Sequence, residues 1–176
     1  MKYALVYGLL SGFAIIATMI AGIVLAPQSF FGSEWFGYLV MLVALTFIFV
    51  GVKRHRDVER GGVIKFGPAF AMGLGIAAAA GVAYVTVWEA YLAMTGYAFM
   101  DEYIAGIMRA RQTEGVSAAA IAEEMAKLEP MRINYANPLF RIPMTFLEIF
   151  PVGLLVSLVS ALLLRNPKLL PATATR

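Results

Sequence analysis

The chain contains no cysteine and only one histidine, His55, among its 176 residues. Without cysteine there are no disulfides, thiolate metal sites or cysteine nucleophiles. One histidine is too few for an HExxH zinc site, a His-rich di-metal site or bis-histidine haem ligation. The sequence also lacks GxSxG, Walker A and dinucleotide-binding glycine motifs. We therefore predict no catalytic residues, no metal and no cofactor, which favours a non-enzymatic protein.

Charged residues are also scarce, at 14% of the chain, whereas apolar residues make up 61%. The usual values are about 25% charged and about 45–50% apolar. A soluble domain of this length could not keep so much apolar surface away from water. The composition therefore indicates an integral membrane protein, and the length favours one membrane domain over residues 1–176.

Four uncharged or nearly uncharged segments are long enough to cross a bilayer, which requires about 20 apolar residues. We predict membrane-spanning helices at about 4–26, 35–52, 66–95 and 139–164. We interpret the first as a retained helix, because its apolar run is longer than that of a signal peptide. The predicted fold class is an all-α polytopic membrane protein with four transmembrane helices.

A polar stretch between the third and fourth spans cannot lie in lipid. Its apolar residues recur every three or four positions, which predicts a hairpin of two amphipathic helices over about 98–130. Gly115 separates the two helices, and Ser117 is placed to cap the second. The stretch carries an excess of acidic residues, which fits either a solvated face or a docking surface for another protein.

Basic residues are concentrated on one side of the predicted bundle. Five follow the second span, and Lys2 and three tail residues fall on the same side: Lys53, Arg54, Arg56, Arg60, Lys65, Arg165, Lys168 and Arg176. The positive-inside rule then predicts that both termini are cytoplasmic and that the hairpin lies outside the cytoplasm. We expect the five residues after the second span to contact anionic lipid headgroups from a loop, with a specific phosphate site as the alternative. We interpret His55 as an exposed loop residue, and the sequence pI near 9.3 needs no nucleic-acid partner.

Three blocks of sequence resemble a known family of small bacterial membrane proteins. They are GVKRHRDVERGGVIKFGPAF at 51–70, VWEAY at 87–91 and FLEIFPVGLLVSLVSALLLR at 146–165. Together they resemble the domain-of-unknown-function family numbered 4199 over nearly the whole chain. His55 departs from the aromatic residue expected there. The resemblance implies a four-helix protein of the bacterial inner membrane and carries no activity or catalytic residues.

Small residues recur at four-residue spacing in three of the predicted spans. The set comprises Gly8, Gly12, Gly73, Ala77, Gly81, Gly153 and Ser157. Because helices in lipid associate through close packing of small residues, these positions predict helix contacts. The contacts can be made within one chain, or with a homodimer mate or a membrane protein partner.

Two carboxylates, Glu89 and Glu148, fall within or beside predicted spans. Arg141 lies seven residues before Glu148, on the same helix face and about 10.5 Å away along the axis. We predict a polar cluster of Glu89, Arg141 and Glu148, with Glu148 facing the bundle interior. Arg141 or a Tyr, Trp or Asn at the same depth would satisfy Glu148. A structural clamp and a ligand or proton site both fit this prediction.

These features lead to three hypotheses about function. The first is an accessory or assembly component that binds a membrane protein partner or lipid. The second is a small proton-coupled transporter or channel that uses Glu89 and Glu148. The third, an intramembrane enzyme, would require the two carboxylates to share a proton, and nothing in the sequence indicates its substrate.

Overall fold

The computed structural model of the protein describes residues 2–25 and 34–172. Within these ranges the chain forms six α-helices and no strand. The helices are α1 (Lys2–Leu25), α2 (Glu34–Glu59), α3 (Phe66–Met94), α4 (Phe99–Thr113), α5 (Ala118–Ala136) and α6 (Pro138–Leu164). The predicted all-α class is therefore confirmed.

Four of these helices, α1, α2, α3 and α6, are long and apolar enough to span a membrane. They contain between 24 and 29 residues, which corresponds to about 36–44 Å of helix. A hydrocarbon core is about 30 Å thick, so each helix can cross it with a turn to spare. The predicted end of the first helix at residue 26 and the tail residue Arg176 lie outside the described residues.

The chain divides into two compact units, whereas its length favours one membrane domain. The first, the membrane unit, comprises residues 1–87 and 146–176; the second, the hairpin unit, comprises residues 88–145. The hairpin unit contains α4 and α5 together with the last turns of α3 and the first turns of α6. The amphipathic hairpin thus has apolar contacts of its own with the helix ends beside it.

In the membrane unit, α1 and α3 approach each other through small residues. A β-carbon added to Gly8 would lie 2.5 Å from the β-carbon of Ala79 and 2.7 Å from the carbonyl oxygen of Ile76. A β-carbon added to Gly12 would lie 2.8 Å from that of Ala83, and closer still to backbone of α3. These distances are too short for real atoms, so glycine is required for the contact.

Glycines also allow α3 to pack closely against α6. Each glycine meets a residue of the facing helix at a distance that leaves no room for a β-carbon. The contacts pair Gly73 with Ser157, Ala77 with Gly153, and Gly81 with Phe146. In the structure, the small residues selected from the sequence therefore lie at contacts within one chain.

The basic segment that follows the second span differs from the predicted loop. Helix α2 continues to Glu59 and includes Lys53, Arg54 and Arg56. A salt bridge one helical turn apart, between Lys53 and Asp57, supports this extension, and Nδ1 of His55 lies 2.9 Å from a carboxylate oxygen of Glu59. Gly61 and Gly62, with φ of +61° and +84°, then form the turn that leads into α3.

His55 is buried rather than exposed. Its side chain is 9% accessible, and its ring lies edge-on to that of Tyr3 at a centroid distance of 6.0 Å. The expectation of an exposed loop histidine was wrong, because the residue belongs to a helix that packs beside α1.

The hairpin forms the two predicted helices. Ser117 accepts a hydrogen bond of 3.3 Å from the backbone N–H of Ala120, which confirms the predicted cap. Gly115 adopts φ of +76° between the helices. Helix α5 continues to Ala136, past the expected end near residue 130, and includes Pro130 in its interior.

We expect that Gly12→Ala lowers the free energy of unfolding of the protein in detergent micelles by about 1–3 kcal/mol, because the added methyl group meets backbone that cannot rotate away. Gly67→Ala is the matched control, since a β-carbon at Gly67 meets nothing within 4 Å. The control should leave stability unchanged or raise it by up to about 1 kcal/mol. Equal effects of the two substitutions, measured by circular dichroism during unfolding, would contradict the packing role.

Candidate functional site in the hairpin unit

The hairpin unit is built around an ion pair between Arg141 of α6 and Glu89 of α3. The Nε and Nη2 groups of Arg141 donate to the two carboxylate oxygens of Glu89, each at 2.7 Å. Its Nη1 group donates to the carbonyl oxygen of Tyr135 at 2.9 Å. The Arg141 side chain is 3% accessible and that of Glu89 is 22% accessible. The arginine is therefore buried, with its charge matched by a bidentate carboxylate.

Two tyrosine rings complete the surroundings of this arginine. The guanidinium carbon lies 5.0 Å from the ring centroid of Tyr97 and 5.7 Å from that of Tyr135, both within cation–π range. The Tyr135 hydroxyl accepts a hydrogen bond of 2.9 Å from the indole N–H of Trp88. The hydrogen bond from Trp88 holds the Tyr135 ring beside the guanidinium of Arg141. The backbone conformation of Tyr97 holds the other ring there.

Tyr97 adopts an unusual backbone conformation. Its φ is +59°, in the left-handed region that residues with a side chain rarely occupy. Its backbone N–H donates to the carbonyl oxygen of Leu92 at 2.8 Å and so closes the end of α3. Such strain commonly marks a position where a side chain must be held in place.

A cavity of about 440 Å³ opens beside the ion pair. Its lining combines apolar side chains, two tyrosines and three charged groups from α3 to α6: Leu92, Tyr97, Met100, Asp101, Arg132, Tyr135, Ala136, Pro138 and Arg141. Small-molecule sites usually enclose about 300–1,000 Å³ and have this kind of mixed lining. Among the described residues there is no cluster of His, Asp and Glu that fits a metal ion.

Arg132 and Asp101 line the cavity and interact with each other, and Arg132 also binds Glu129, which lies outside the lining. Arg132 donates to both carboxylate oxygens of Glu129, at 2.9 and 2.7 Å, and to Asp101 at 3.3 Å. The hydrogen bond from Arg132 lowers the pKa of Glu129 below its usual value. The bonds to Glu129 and Asp101 raise the pKa of Arg132, so it stays charged at every physiological pH.

Glu148 belongs to the membrane unit, whereas Glu89 and Arg141 belong to the hairpin unit. The partner of Glu148 in the described chain is Tyr84, whose hydroxyl lies 3.4 Å from Oε2. A tyrosine partner was among the predicted alternatives. Glu148 is exposed on α6, and its carboxylate reaches the hydroxyl of Tyr84, a buried residue of α3.

The residues predicted to contact lipid headgroups divide into two groups. Arg54, Arg60 and Lys65 are exposed, and Lys53 is half-buried. Arg56 is fully buried and donates to the carbonyl oxygens of Leu169 and Leu170, at 3.0 and 2.5 Å. Its side chain therefore holds the C-terminal segment against the end of α2 and faces no headgroup.

Several residues of the site are not identified by the sequence analysis, among them Asp101, Arg132, Tyr135 and Trp88. The aromatic block VWEAY and the repeated charges of α5 were visible signals, but neither indicates which residues meet. Tyr84, the partner of Glu148, lies in an apolar span where one tyrosine carries no distinguishing pattern.

The fold and the site define a small polytopic helical membrane protein with an inserted helical hairpin. The profile of a family described as "Protein of unknown function (DUF4199)" matches residues 2–166. The chain belongs to this family, as the resemblance of its sequence blocks indicated. No curated protein and no solved structure matches the chain.

We expect Glu89→Leu to destabilise the protein by about 3–5 kcal/mol, because it leaves the buried charge of Arg141 without its partner. The double variant Glu89→Leu/Arg141→Met should recover part of that loss, since no isolated charge remains buried. The control is Glu123→Leu, which breaks an exposed pair with Lys127 and should change stability by less than about 1 kcal/mol. Thermal unfolding in detergent measures all three, and a Glu89→Leu variant as stable as the wild type would contradict this role of the ion pair.

Proposed function

We propose that the protein is a non-enzymatic component that binds another membrane protein, and that the partner docks on the face of α6 that carries Glu148. The observation that supports this most directly is the exposure of a carboxylate on a membrane-spanning helix. Glu148, Pro151, Leu155 and Leu162 are all exposed and recur at three-, four- and seven-residue spacing. They form one continuous stripe along the helix.

The depth of Glu148 makes its exposure costly. It follows the first residue of α6, Pro138, by about 15 Å along a helix of 27 residues. A charged side chain near the centre of a spanning helix costs about 2.5–3.5 kcal/mol on insertion scales. At this depth no headgroup is within reach, so a donor must come from protein.

The contact that Glu148 makes within the described part of the chain meets this need only in part. The Tyr84 hydroxyl is 3.4 Å from Glu148 and 3.3 Å from the sulfur of Met19, so these two acceptors compete for its single proton. Hydroxyl hydrogen bonds normally measure about 2.5–3.0 Å. A partner helix with an arginine, lysine or histidine at the same depth would complete the site by charge complementarity.

We also propose that the protein lies in the bacterial inner membrane with both termini in the cytoplasm. Support comes from Arg54, Arg60 and Lys65, which are exposed near the turn between α2 and α3. Positive charge of this kind is retained on the cytoplasmic side and attracts anionic headgroups, at about 1 kcal/mol per residue.

Site-specific photocrosslinking in native membranes tests the docking face. A photoreactive residue at Leu155 should give one major protein adduct, whereas the same residue at Leu42, an exposed position of α2, should not. Glu148→Leu should reduce the adduct at least fivefold, and Glu123→Leu should leave it unchanged. Fragment mass spectrometry should place the crosslink on a partner helix that carries a basic residue.

An adduct with a second copy of the chain would replace this proposal with a homodimer. Equal labelling from Leu155 and Leu42, or lipid adducts alone, would reject a docking face on α6.

A proton-coupled transporter is the second candidate, and the exposed carboxylate of Glu148 favours it. Glu89 does not, because Arg141 already binds both of its oxygens. Proton flux into liposomes should then be lost in Glu148→Gln and retained in Glu59→Gln. Equal flux in the wild type and Glu148→Gln would exclude this function.

A further inference from the structure

We infer that the cavity of the hairpin unit binds the headgroup of a phospholipid that carries both a phosphate and a primary ammonium, as in phosphatidylethanolamine. This inference concerns the hairpin unit alone and does not depend on a docking partner at α6. Three features of the cavity support it: its position along the helices, the remaining donors of Arg132 and the charge around Arg132.

The cavity lies at the end of α3 and the beginning of α6. Leu92 lies in the last turn of α3, and Pro138 and Arg141 lie in the first turn of α6. The ends of spanning helices lie at the level of lipid headgroups. The apolar lining formed by Leu92, Met100 and Pro138 suits the glycerol region and the start of an acyl chain.

Arg132 has N–H groups that its own ion pairs do not use. A guanidinium has five N–H groups, and Arg132 uses three of them on Glu129 and Asp101. Two remain for a phosphate, which guanidinium groups bind well. Arg141 contributes little, since Glu89 neutralises it and its Nη1 group is bonded to backbone.

Negative charge exceeds positive charge around Arg132. Arg132 is accompanied by two carboxylates, those of Asp101 and Glu129. A purely anionic headgroup would be repelled by the unmatched negative charge. Asp101 is exposed and accepts only one long hydrogen bond, so it can receive an ammonium group from the same ligand.

The same geometry favours a primary ammonium over choline. A quaternary ammonium cannot donate to Asp101 and is usually held between aromatic faces. Here Tyr97 and Tyr135 both lie against the guanidinium of Arg141, which already acts as their cation.

Native mass spectrometry of the full chain, released from micelles with added lipid, tests the inference. We expect the wild type to retain phosphatidylethanolamine at least fivefold more than phosphatidylglycerol or phosphatidylcholine at equal concentration. Soluble phosphoethanolamine should compete only at much higher concentration, because it lacks the glycerol and acyl contacts.

Two substitutions test the phosphate-binding and the ammonium-binding side chains of the site individually. Arg132→Gln should lower retention of phosphatidylethanolamine at least fivefold by removing the phosphate donors. Asp101→Asn should also lower it and should raise relative retention of phosphatidylglycerol, because it removes a repelling charge. Lys127→Gln and Glu102→Gln, at exposed positions outside the lining, are the controls and should match the wild type.

Size-exclusion chromatography should show that each variant remains folded; if Arg132→Gln aggregates, the change of lipid preference in Asp101→Asn still decides the question. Wild-type preference for phosphatidylglycerol, or identical retention in Asp101→Asn and Glu102→Gln, would overturn the zwitterionic site. Neither result affects the α6 docking face, which the crosslinking experiment tests separately.

Discussion

Close approach of helices through α3 is the constraint on which the membrane unit depends. Lipid offers little hydrophobic drive for helix association, so helices gain from contact only where backbones come near enough to pack. Gly8 and Gly12 bring α1 onto α3, and Gly73 and Gly81 bring α3 onto side chains of α6. Larger residues at these points would separate the helices and remove the contacts.

The hairpin unit is stabilised differently, because its central contact is polar. A buried ion pair is only worthwhile when hydrogen bonds satisfy its remaining donors. Arg141 meets this condition with the carboxylate of Glu89 and the Tyr135 carbonyl, and Tyr97 and Tyr135 cover its faces. The membrane unit is thus stabilised by dense packing, and the hairpin unit by charge matching.

The spans and the hairpin could be predicted from sequence because each depends on local properties, namely apolar length, periodicity and a capping serine. The partners of the charged residues could not be predicted from the sequence. Arg141 and Glu148 share a helix face, but helical side chains lean toward the N-terminus, so Arg141 reaches back to the Tyr135 carbonyl. Arg56 binds the carbonyls of Leu169 and Leu170, and a backbone acceptor leaves no mark in the sequence.

Glu89 and Glu148 illustrate how the same residue type acquires different roles. An arginine binds Glu89 through both of its oxygens. Glu148 has one long contact with a hydroxyl that also lies near a sulfur, and it is exposed on a spanning helix. Its free energy therefore still depends on what comes next to it in the bilayer. The proposed docking face therefore depends on Glu148, whereas Glu89 pairs with Arg141 inside the hairpin unit.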